Sequence, residues 1–276
     1  SGMRTASSNA NSMKPIAFLV LVYLTVLSPT AMSQDKSPGG GSDEFRIVGY
    51  LPDYRMSDFD LAPCKVLTDL YLFSAEVSPD GSLSFDRLRN APWSRLQTFK
   101  TNYRVRLVLC IGGWDRSSGF GPMATSAQAR KRFIESVRAT CLEKRLDGID
   151  IDWEHPQNQA EQGAYSQLLI ELAQSLHPLG LQVSVTMASW QSIPSKGLEA
   201  VDAINIMSYD LVHGFSTTSG HHTPLYSTPQ QIESADHAVQ LLLQKKVPAG
   251  KLVIGCGFYG RMFRIAAEHE IGLYQP

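Results

Sequence analysis

Three carboxylates occupy every second position of one short and otherwise apolar segment of the chain. In LDGIDIDWEHP, residues 146–156, they are Asp150, Asp152 and Glu154. Because successive side chains of a strand point to opposite faces, a strand here would place all three on one face at a spacing of about 6–7 Å. The opposite face would carry apolar side chains, namely Ile149, Ile151 and Trp153. The pattern predicts a buried strand with a row of acids along one face.

Such a row of acids has consequences for protonation. Three like charges in a confined site cannot all stay ionised cheaply, so the pKa of at least one carboxyl must rise. Glu154 is the outermost of the three, and we expect it to reach the mouth of the site. A carboxylic acid with a raised pKa is the group that a glycosidase needs to protonate a leaving oxygen.

A row of carboxylates is also compatible with other structures and chemistries. A solvated edge strand is disfavoured by the apolar residues on the alternate face. Carboxylate oxygens also suit Mg²⁺ or Ca²⁺, which leaves a divalent-metal site open. Phosphoryl chemistry would need basic residues and backbone cradles nearby, whereas the predicted strand ends carry tryptophan, tyrosine and methionine. Since aromatic rings stack on the apolar faces of sugars, glycoside hydrolysis is favoured.

The elements that must position these acids are short apolar runs alternating with amphipathic stretches. The runs predict seven strands, over residues 45–51, 67–73, 105–111, 146–152, 181–187, 201–207 and 251–257. The stretches predict helices, among them those over 126–145, 161–177 and 229–246. For the last helix, Thr228, Pro229 and Gln231 predict an N-cap, a proline at the first helical position and a capping-box partner.

This alternation predicts an α/β protein with a parallel sheet that is buried on both faces. A doubly wound sheet usually has a glycine-rich phosphate loop, and no G-x-G-x-x-G follows the first run. A (β/α)8 TIM barrel instead places polar functional residues at the C-terminal ends of several strands. The segments IGGW, DWE, MSYD and FYGR follow the third, fourth, sixth and seventh runs. We therefore expect the barrel.

These strand-end segments resemble the motifs of glycoside hydrolase family 18, the chitinases and their relatives. DGIDIDWE resembles the D-G-x-D-x-D-x-E signature, and CIGGW resembles the S-x-G-G motif with Cys110 at the usual serine. MSYD, GHHTPLY and VPAGKLVIGCGFYGR resemble the sixth strand, the loop after it and the seventh strand of the family. The resemblance covers about residues 45–263. It implies a TIM-barrel glycosidase.

The resemblance also implies roles in a retaining, substrate-assisted cleavage of β-1,4-linked N-acetylglucosamine. Glu154 would be the general acid, and Asp152 would position and polarise the N-acetyl group of the substrate. Asp150 would share a proton with Asp152, and Tyr209 would hydrogen-bond the acetamide carbonyl. The nucleophile would be the substrate's own acetamide oxygen, which makes the family an exception to the scheme with two catalytic carboxylates.

Further residues at the predicted strand ends would, by the same resemblance, line the sugar subsites. They are Tyr50, Phe73, Gly113, Trp114, Met207, Asp210, Tyr259 and Arg261. Tyr50 and Phe73 could equally be core aromatics. We expect Gly112 and Gly113 to let the backbone pass close to its neighbours. His155, where the family often has tyrosine, is expected to be a surface or loop histidine. Neither a metal nor another cofactor is expected.

The sequence departs from the family pattern at its C-terminal end. After FYGRMF the chain reaches Pro276 without an eighth strand, so we expect the catalytic barrel of residues 45–276 to be incomplete, with an exposed sheet edge. Three hypotheses stay open. They are a chitinase-type hydrolase, with an endo-β-N-acetylglucosaminidase as its near variant; a non-catalytic carbohydrate-binding homologue, against which the intact Glu154 argues; and an inactive truncated fragment.

The N-terminal residues predict export. Lys14 precedes the apolar run PIAFLVLVYLTVL, which is too short to span a membrane, and AMS at residues 31–33 is a small-residue cleavage site. Residues 1–33 are interpreted as upstream residues plus a signal peptide, and residues 34–44 as a flexible linker. We expect a secreted or periplasmic protein with no membrane contact after cleavage.

Composition and cysteine spacing limit the partners further. The chain has 25 basic and 26 acidic residues and a formal net charge of -1, so no nucleic-acid partner is expected. We expect a monomer that binds chitin or another oligosaccharide containing N-acetylglucosamine. The four cysteines are far apart, and Cys110 and Cys256 lie in apolar runs. This placement predicts free, buried thiols.

Overall fold

The structure, a computed structural model, describes residues 45–264 and 272–275. The predicted signal peptide and linker, within residues 1–44, therefore lie outside the described residues. In the two described ranges, no helix is both long enough and apolar enough to cross a bilayer.

The described residues contain eight strands in one sheet. The strands are β1 (Val48–Pro52), β2 (Asp69–Val77), β3 (Leu83–Ser84), β4 (Arg106–Gly112), β5 (Gly148–Asp152), β6 (Gln182–Ala188), β7 (Ala203–Met207) and β8 (Leu252–Ile254). Seven of them run parallel in the order β1-β2-β4-β5-β6-β7-β8, and β3 pairs antiparallel with β2. The seven predicted strands and their parallel pairing are confirmed, and only the two-residue β3 was missed.

Six α-helices lie in the described residues. They are α1 (Trp93–Tyr103), α2 (Phe120–Thr125), α3 (Ala127–Glu143), α4 (Gln159–Leu176), α5 (Ser195–Ala200) and α6 (Ala235–Gln244). Side chains of Ser126, Asn158 and Ser234 cap the first turns of α3, α4 and α6 by accepting hydrogen bonds from backbone N–H groups. The predicted helices over 126–145 and 161–177 are confirmed to within a few residues.

The start predicted for the last helix is wrong. Helix α6 begins at Ala235, and the segment Thr228–Gln231 forms a tight turn instead. The Gln231 N–H does donate to the Thr228 hydroxyl (3.1 Å), but the Thr228 N–H donates back to the Gln231 carbonyl (2.8 Å). One side-chain bond can cap a helix or close a turn, and Pro229 suits the second position of either structure.

The parallel sheet curls strongly. Tyr50 on β1 and Thr186 on β6 are separated by four strand spacings, which is about 19 Å along the sheet. Their hydroxyl oxygens nevertheless lie 2.7 Å apart. A flat sheet could not bring them together, so the strands wrap around a common axis, as the (β/α)8 prediction requires.

Strand β5 lies inside this curled sheet, between β4 and β6. Ile149, Ile151 and Trp153 are buried on its outer face, where the Trp153 ring stacks on Phe120 of α2 at a centroid distance of 5.3 Å. The hydroxyl of Tyr165 in α4 donates to the Ile151 carbonyl (3.1 Å). This packing excludes the solvated edge strand and turns the three carboxylates toward the axis.

The sheet is open, as expected. Strands β1 and β8 end the strand order and do not pair with each other within the described residues. Side chains near these edges are exposed, including Ile47 and Ile254. The expectation of buried thiols is wrong for Cys256, which is exposed because β8 ends at Ile254, whereas Cys64, Cys110 and Cys141 are free and buried.

Candidate active site

The acid row becomes more open toward the C-terminal end of β5. The exposed fraction is 0% for Asp150 and 4% for Asp152, and the Glu154 side chain is 12% exposed. Burial therefore falls in the predicted order, and Glu154 is the carboxyl that a ligand reaches first. The three residues are brought together as the alternation indicated.

Asp150 is fully engaged by the sheet around it. Its Oδ1 accepts hydrogen bonds from the Ser184 hydroxyl (2.7 Å) and the Asn205 amide (3.1 Å). Its Oδ2 accepts from the hydroxyls of Thr186 (2.8 Å) and Tyr50 (3.1 Å). Burial raises the pKa of Asp150, and the hydrogen bonds from Ser184, Thr186 and Tyr50 oppose the rise. Asp150 thus joins β1, β5, β6 and β7.

Asp152 has a different environment. Its Oδ1 is buried and has no hydrogen-bond partner among the described residues. Burial raises the pKa of Asp152 well above its usual value, and the charges of Glu154 and Asp150 raise it further. The hydrogen bonds of Asp150 do not include one to Asp152. Proton sharing between these two residues therefore stays a prediction.

The surroundings of Glu154 favour its protonated form. Burial raises its pKa to about 7, and the charges of Asp115 and Asp210 act in the same direction, while the backbone N–H of Trp114 opposes them. A carboxyl with this pKa holds a proton over much of the range around neutral pH.

Ser117 fixes the backbone around the acid. Its hydroxyl lies 3.0 Å from the Gly113 carbonyl, 3.1 Å from the Asp152 carbonyl and 3.0 Å from the Glu154 N–H, which donates to it. The Gly113 N–H donates to the Asp152 carbonyl at 2.7 Å. The loop after β4 and the end of β5 are thereby held together, so the position of Glu154 does not depend on one strand alone.

Gly112 and Gly113 are required by close packing, as predicted. Gly112 has φ +103°, and a Cβ there would lie 2.2 Å from the Asp152 carbonyl oxygen. Gly113 has φ +106°, and a Cβ there would lie 2.4 Å from the Phe73 ring. Phe73 therefore packs beneath the loop that carries Trp114, under the Arg116 guanidinium, whose Cζ is 4.7 Å from the ring centroid.

Tyr209 and Asp210 follow β7 at the same end of the sheet. Burial raises the pKa of Tyr209, and the charge of Asp152 raises it further. Asp210 accepts hydrogen bonds from the Tyr259 hydroxyl (2.6 Å) and from the Arg261 Nε (2.8 Å). Burial acts to raise the pKa of Asp210, but these two bonds and the Arg261 charge outweigh it and lower the pKa. Asp210, Tyr259 and Arg261 thus form one network.

The other predicted subsite residues differ in exposure. Trp114 is 63% exposed in the loop after β4, and Met207 is half-buried at the end of β7. Tyr50 is partly exposed because β1 is an edge strand of the described sheet, although its hydroxyl bonds Asp150. Each of these residues lies on a strand of the curled sheet or in the loop after one, which is where the motifs placed them.

His155 lies in the loop after β5, as expected, but it is not a surface residue. Its side chain is largely buried, and its Nε2 lies 3.6 Å from Glu154 Oε2. Its Nδ1 lies 3.3 Å from the Gln191 side-chain oxygen, and its ring meets the Trp190 ring edge-on at a centroid distance of 4.5 Å. The loop after β6 reaches across to the end of β5, and sequence spacing gave no indication of that contact.

Several supporting residues were missed at the sequence level. They are Ser117, Ser184, Thr186, Gln191 and Asn205. A usable signal existed for three of them, because Ser184, Thr186 and Asn205 are polar residues inside apolar strands. Ser184 and Thr186 pair in register with Asp150 and Asp152, and Thr186 pairs with Asn205.

Metal binding finds no additional support in the geometry. Across residues 45–264 and 272–275, no group of three or more histidine, cysteine, aspartate or glutamate side chains is arranged to hold a metal ion. His222, in the loop after β7, instead accepts a hydrogen bond from the Asp210 N–H (3.1 Å) and lies 2.9 Å from the Tyr259 carbonyl.

The fold and the site define an α/β barrel-type protein whose row of acids opens at the C-terminal end of a curled parallel sheet. The chain belongs to the family described as glycosyl hydrolases family 18, whose model matches residues 46–274. The predicted family is therefore confirmed.

Curated relatives and solved structures agree with this assignment. The chain is 30% identical to chitotriosidase-1 of Mus musculus over 67% of its own length and 45% of that protein. It is 33% identical to chitinase 1 of Aphanocladium album over 60% of its own length and 43% of that protein. The chain thus spans less than half the length of these two relatives.

Two solved structures resemble the fold closely. A family 18 N-acetylglucosaminidase from Paenibacillus barengoltzii superimposes with a TM-score of 0.77 at 27% identity, over 84% of this chain and 74% of that one. The Group IV chitinase of Ostrinia furnacalis in complex with allosamidin gives a TM-score of 0.76 at 25% identity, over 84% of this chain and 71% of that one.

Proposed function

We propose that this protein hydrolyses β-1,4-linked N-acetylglucosamine in chitin-type polymers or oligomers. The single observation that carries the proposal is the placement of Glu154, which is the outermost acid of the row and has a pKa raised to about 7. At neutral pH, a large fraction of Glu154 is protonated and ready to donate to a glycosidic oxygen.

The reaction uses one protein acid and one group of the substrate. Glu154 donates its proton to the leaving oxygen while the acetamide oxygen of the same sugar attacks the anomeric carbon, and the glycosidic C–O bond breaks. Water then attacks the anomeric carbon of the oxazolinium intermediate, the bond from that carbon to the acetamide oxygen breaks, and the Glu154 carboxylate takes a proton from the water. Configuration is retained because the anomeric carbon is inverted twice.

Asp152 and Tyr209 orient the acetamide in this scheme. The unpaired Oδ1 of Asp152 is a free acceptor for the acetamide N–H, and the raised pKa of Tyr209 keeps its hydroxyl a donor for the acetamide oxygen. Asp150 holds Asp152 in place through the shared strand. Trp114, Met207, Asp210, Tyr259 and Arg261 line the sugar subsites, with Tyr50, Phe73 and Gly113 beneath them.

The names of related proteins support this substrate class. The curated relatives are a chitotriosidase and a chitinase, and one solved neighbour is an N-acetylglucosaminidase. Action on the N-acetylglucosamine core of N-glycans is the near variant. A non-catalytic carbohydrate-binding role is the second candidate, favoured by the exposed ring of Trp114 beside the acid.

The test is hydrolysis of a fluorogenic N-acetyl-chito-oligosaccharide by the full chain and by Glu154→Gln. We expect kcat to fall by about 10²–10⁴-fold in the variant, with little change in KM, because an amide cannot donate the proton. Circular dichroism of both proteins controls for folding. A folded wild type that binds the oligosaccharide without cleaving it would support the carbohydrate-binding candidate instead.

We also propose that the protein is exported and acts as a monomer. The apolar run after Lys14 and the small residues at 31–33 support cleavage by a signal peptidase. N-terminal sequencing of protein recovered outside the cytoplasm should begin near residue 34, and its mass in solution by light scattering should be that of one chain. An unprocessed N-terminus or a dimeric mass would contradict these two proposals.

A further inference from the structure

His155 lies beside the acid without belonging to the roles assigned so far. It directly follows Glu154, and its Nε2 lies 3.6 Å from Glu154 Oε2, which is longer than a hydrogen bond. The ring is held on its other sides by the Trp190 indole and the Gln191 side chain. One ring nitrogen therefore faces the acid and the other faces Gln191.

The orientation of the Gln191 amide follows from two other contacts. Its Oε1 accepts from the Ala188 N–H at 3.3 Å, and its Nε2 donates to the Trp153 carbonyl at 3.2 Å. A flipped amide would place a donor against a donor and an acceptor against an acceptor. The atom that faces His155 is therefore the carbonyl oxygen of Gln191.

This orientation fixes the tautomer of His155. A carbonyl oxygen accepts only, so Nδ1 of His155 must carry a proton and donate to it. In a neutral imidazole the other nitrogen is then unprotonated, and this Nε2 directs its lone pair toward Glu154. An ionised Glu154 would place an oxygen lone pair against the Nε2 lone pair, which is unfavourable. A protonated Glu154 instead presents an O–H to Nε2.

The charged groups around the pair agree with a neutral His155. Burial lowers the pKa of His155, and the Gln191 hydrogen bond opposes this effect. Glu154 is faced by Asp152 at the end of β5, by Cys110 of β4, by Asp115 from the loop after β4 and by Tyr209 and Asp210 after β7. Trp190 and Gln191, from the loop after β6, do not titrate.

We propose that His155 is a positioning residue for Glu154: Gln191 holds its Nδ1–H, and its unprotonated Nε2 faces the Glu154 carboxyl and favours the protonated acid in the free enzyme. When substrate binds, the leaving oxygen becomes the acceptor of the Glu154 proton. The role rests on the proposed function, since it concerns the proton that Glu154 transfers.

The kinetic test compares pH profiles of wild type, His155→Asn and His155→Gln. Asparagine keeps a donor near the Nδ1 position and has no atom at the Nε2 position, whereas glutamine keeps an acceptor there. In His155→Asn we expect the alkaline limb of kcat/KM to move to lower pH by about 0.5 unit, because the lone pair that disfavours ionised Glu154 is removed. The alkaline limb of kcat should move less, because kcat reports the substrate complex.

The glutamine variant should stay near the wild-type profile. A purely structural role would lower activity without moving the alkaline limb. If folded His155→Asn has the same alkaline limb of kcat/KM as the wild type, the proposal is overturned. Thermal unfolding of each variant shows whether it is folded.

A second measurement does not depend on activity. Ring ¹⁵N chemical shifts of the wild-type protein at pH 7 to 8 should show His155 with Nδ1 protonated and Nε2 unprotonated, and the Nε2 shift should change in Glu154→Gln. A signal from the Nε2–H tautomer overturns the proposal. If the chain hydrolyses no substrate, the proposed function fails, whereas these shifts still decide the state of His155.

Discussion

Both oxygens of Asp150 accept hydrogen bonds, whereas Oδ1 of Asp152, two positions along the same face of the same strand, accepts none. Both carboxyls are buried, and burial raises both pKa values. The sheet therefore stabilises the inner carboxyl and leaves the next one with a free, desolvated oxygen. Such an oxygen costs stability until a ligand pairs with it.

Replacing each aspartate by asparagine should separate these two environments. Asp152→Asn removes a buried carboxyl whose ionisation the folded state disfavours, so we expect the free energy of unfolding at pH 8 to rise by on the order of 1 kcal/mol while activity falls. Asp150→Asn places an amide N–H₂ against the donors that surround this carboxyl. We expect it to lower the free energy of unfolding by about 1–3 kcal/mol. Urea unfolding of the three proteins measures both changes.

The gain from Asp152→Asn should depend on pH. Because the folded-state pKa of Asp152 lies above its unfolded value, the wild-type protein loses stability as the pH rises from about 4 through the folded-state pKa, and the asparagine variant does not. The difference from wild type should therefore be larger at pH 8 than at pH 5. A difference that is constant with pH would mean that the charge of Asp152 is not its source.

The activity profile should have an alkaline limb set by Glu154. The acid must be protonated to act, and its pKa is about 7, so kcat/KM should fall about tenfold per unit above that pH. Asp115→Asn removes one charge that raises this pKa, at a position with φ 59° that asparagine tolerates well. The limb should then move to lower pH by a few tenths of a unit, about what one partly screened charge contributes.

A single methyl group on Gly113 should disrupt the loop that carries Trp114. Gly113→Ala combines a φ of +106° with a Cβ at 2.4 Å from the Phe73 ring, so we expect at least about 2 kcal/mol of destabilisation. The matched control is Gly163→Ala in helix α4, where a Cβ meets nothing within 4 Å. That variant should gain about 0.5–1 kcal/mol, and chemical denaturation distinguishes the two outcomes.

A histidine pair away from the site should give a measurable pH effect. His177 Nε2 lies 3.0 Å from Asp202 Oδ2, and this bond raises the pKa of His177. Burial acts to raise the pKa of Asp202, but the bonds from His177 and from the Val183 N–H, with the charges of His177 and Arg46, together outweigh it and lower the pKa. The stabilisation from the His177–Asp202 pair is therefore complete below about pH 6.5 and is lost as the pH rises through the folded-state pKa of His177. At acidic pH the same stabilisation also requires that Asp202 is ionised.

His177→Gln keeps a donor for Asp202 and removes the titratable charge. Both partners are about one-third exposed, so the loss should stay under about 1 kcal/mol at pH 5.5. At pH 9 the variant and wild type should be equally stable. Equal stability at pH 5.5 as well would show that water screens the pair completely.

Much of the fold and the site could be predicted from the sequence because both depend on short-range alternation. The apolar runs defined the parallel strands, and the period of two in GIDID placed the carboxylates on one face and the isoleucines on the other. The same period made Glu154 the outermost acid. These features need only the geometry of a strand and the preference of apolar groups for burial.

What the sequence did not reveal depends on contacts between distant segments. His155 and Gln191 meet because the loop after β6 folds back over the end of β5. Thr228 and Gln231 satisfy a capping pattern, yet tertiary contacts favour a turn, in which the Gln231 amide donates to the His221 carbonyl at 2.7 Å. Local patterns cannot decide between alternatives that differ only in such long-range partners.

The contact between Tyr50 and Thr186 also bears on how the chain folds. It joins residues 136 positions apart, and Tyr50 contacts Asp150 across 100 positions. Pairings of such long separation close large loops before any contact repays the lost chain entropy, which slows folding. The acid row should therefore acquire its final environment late, when the first strand docks against the rest of the sheet, so that partly folded chains have no working site.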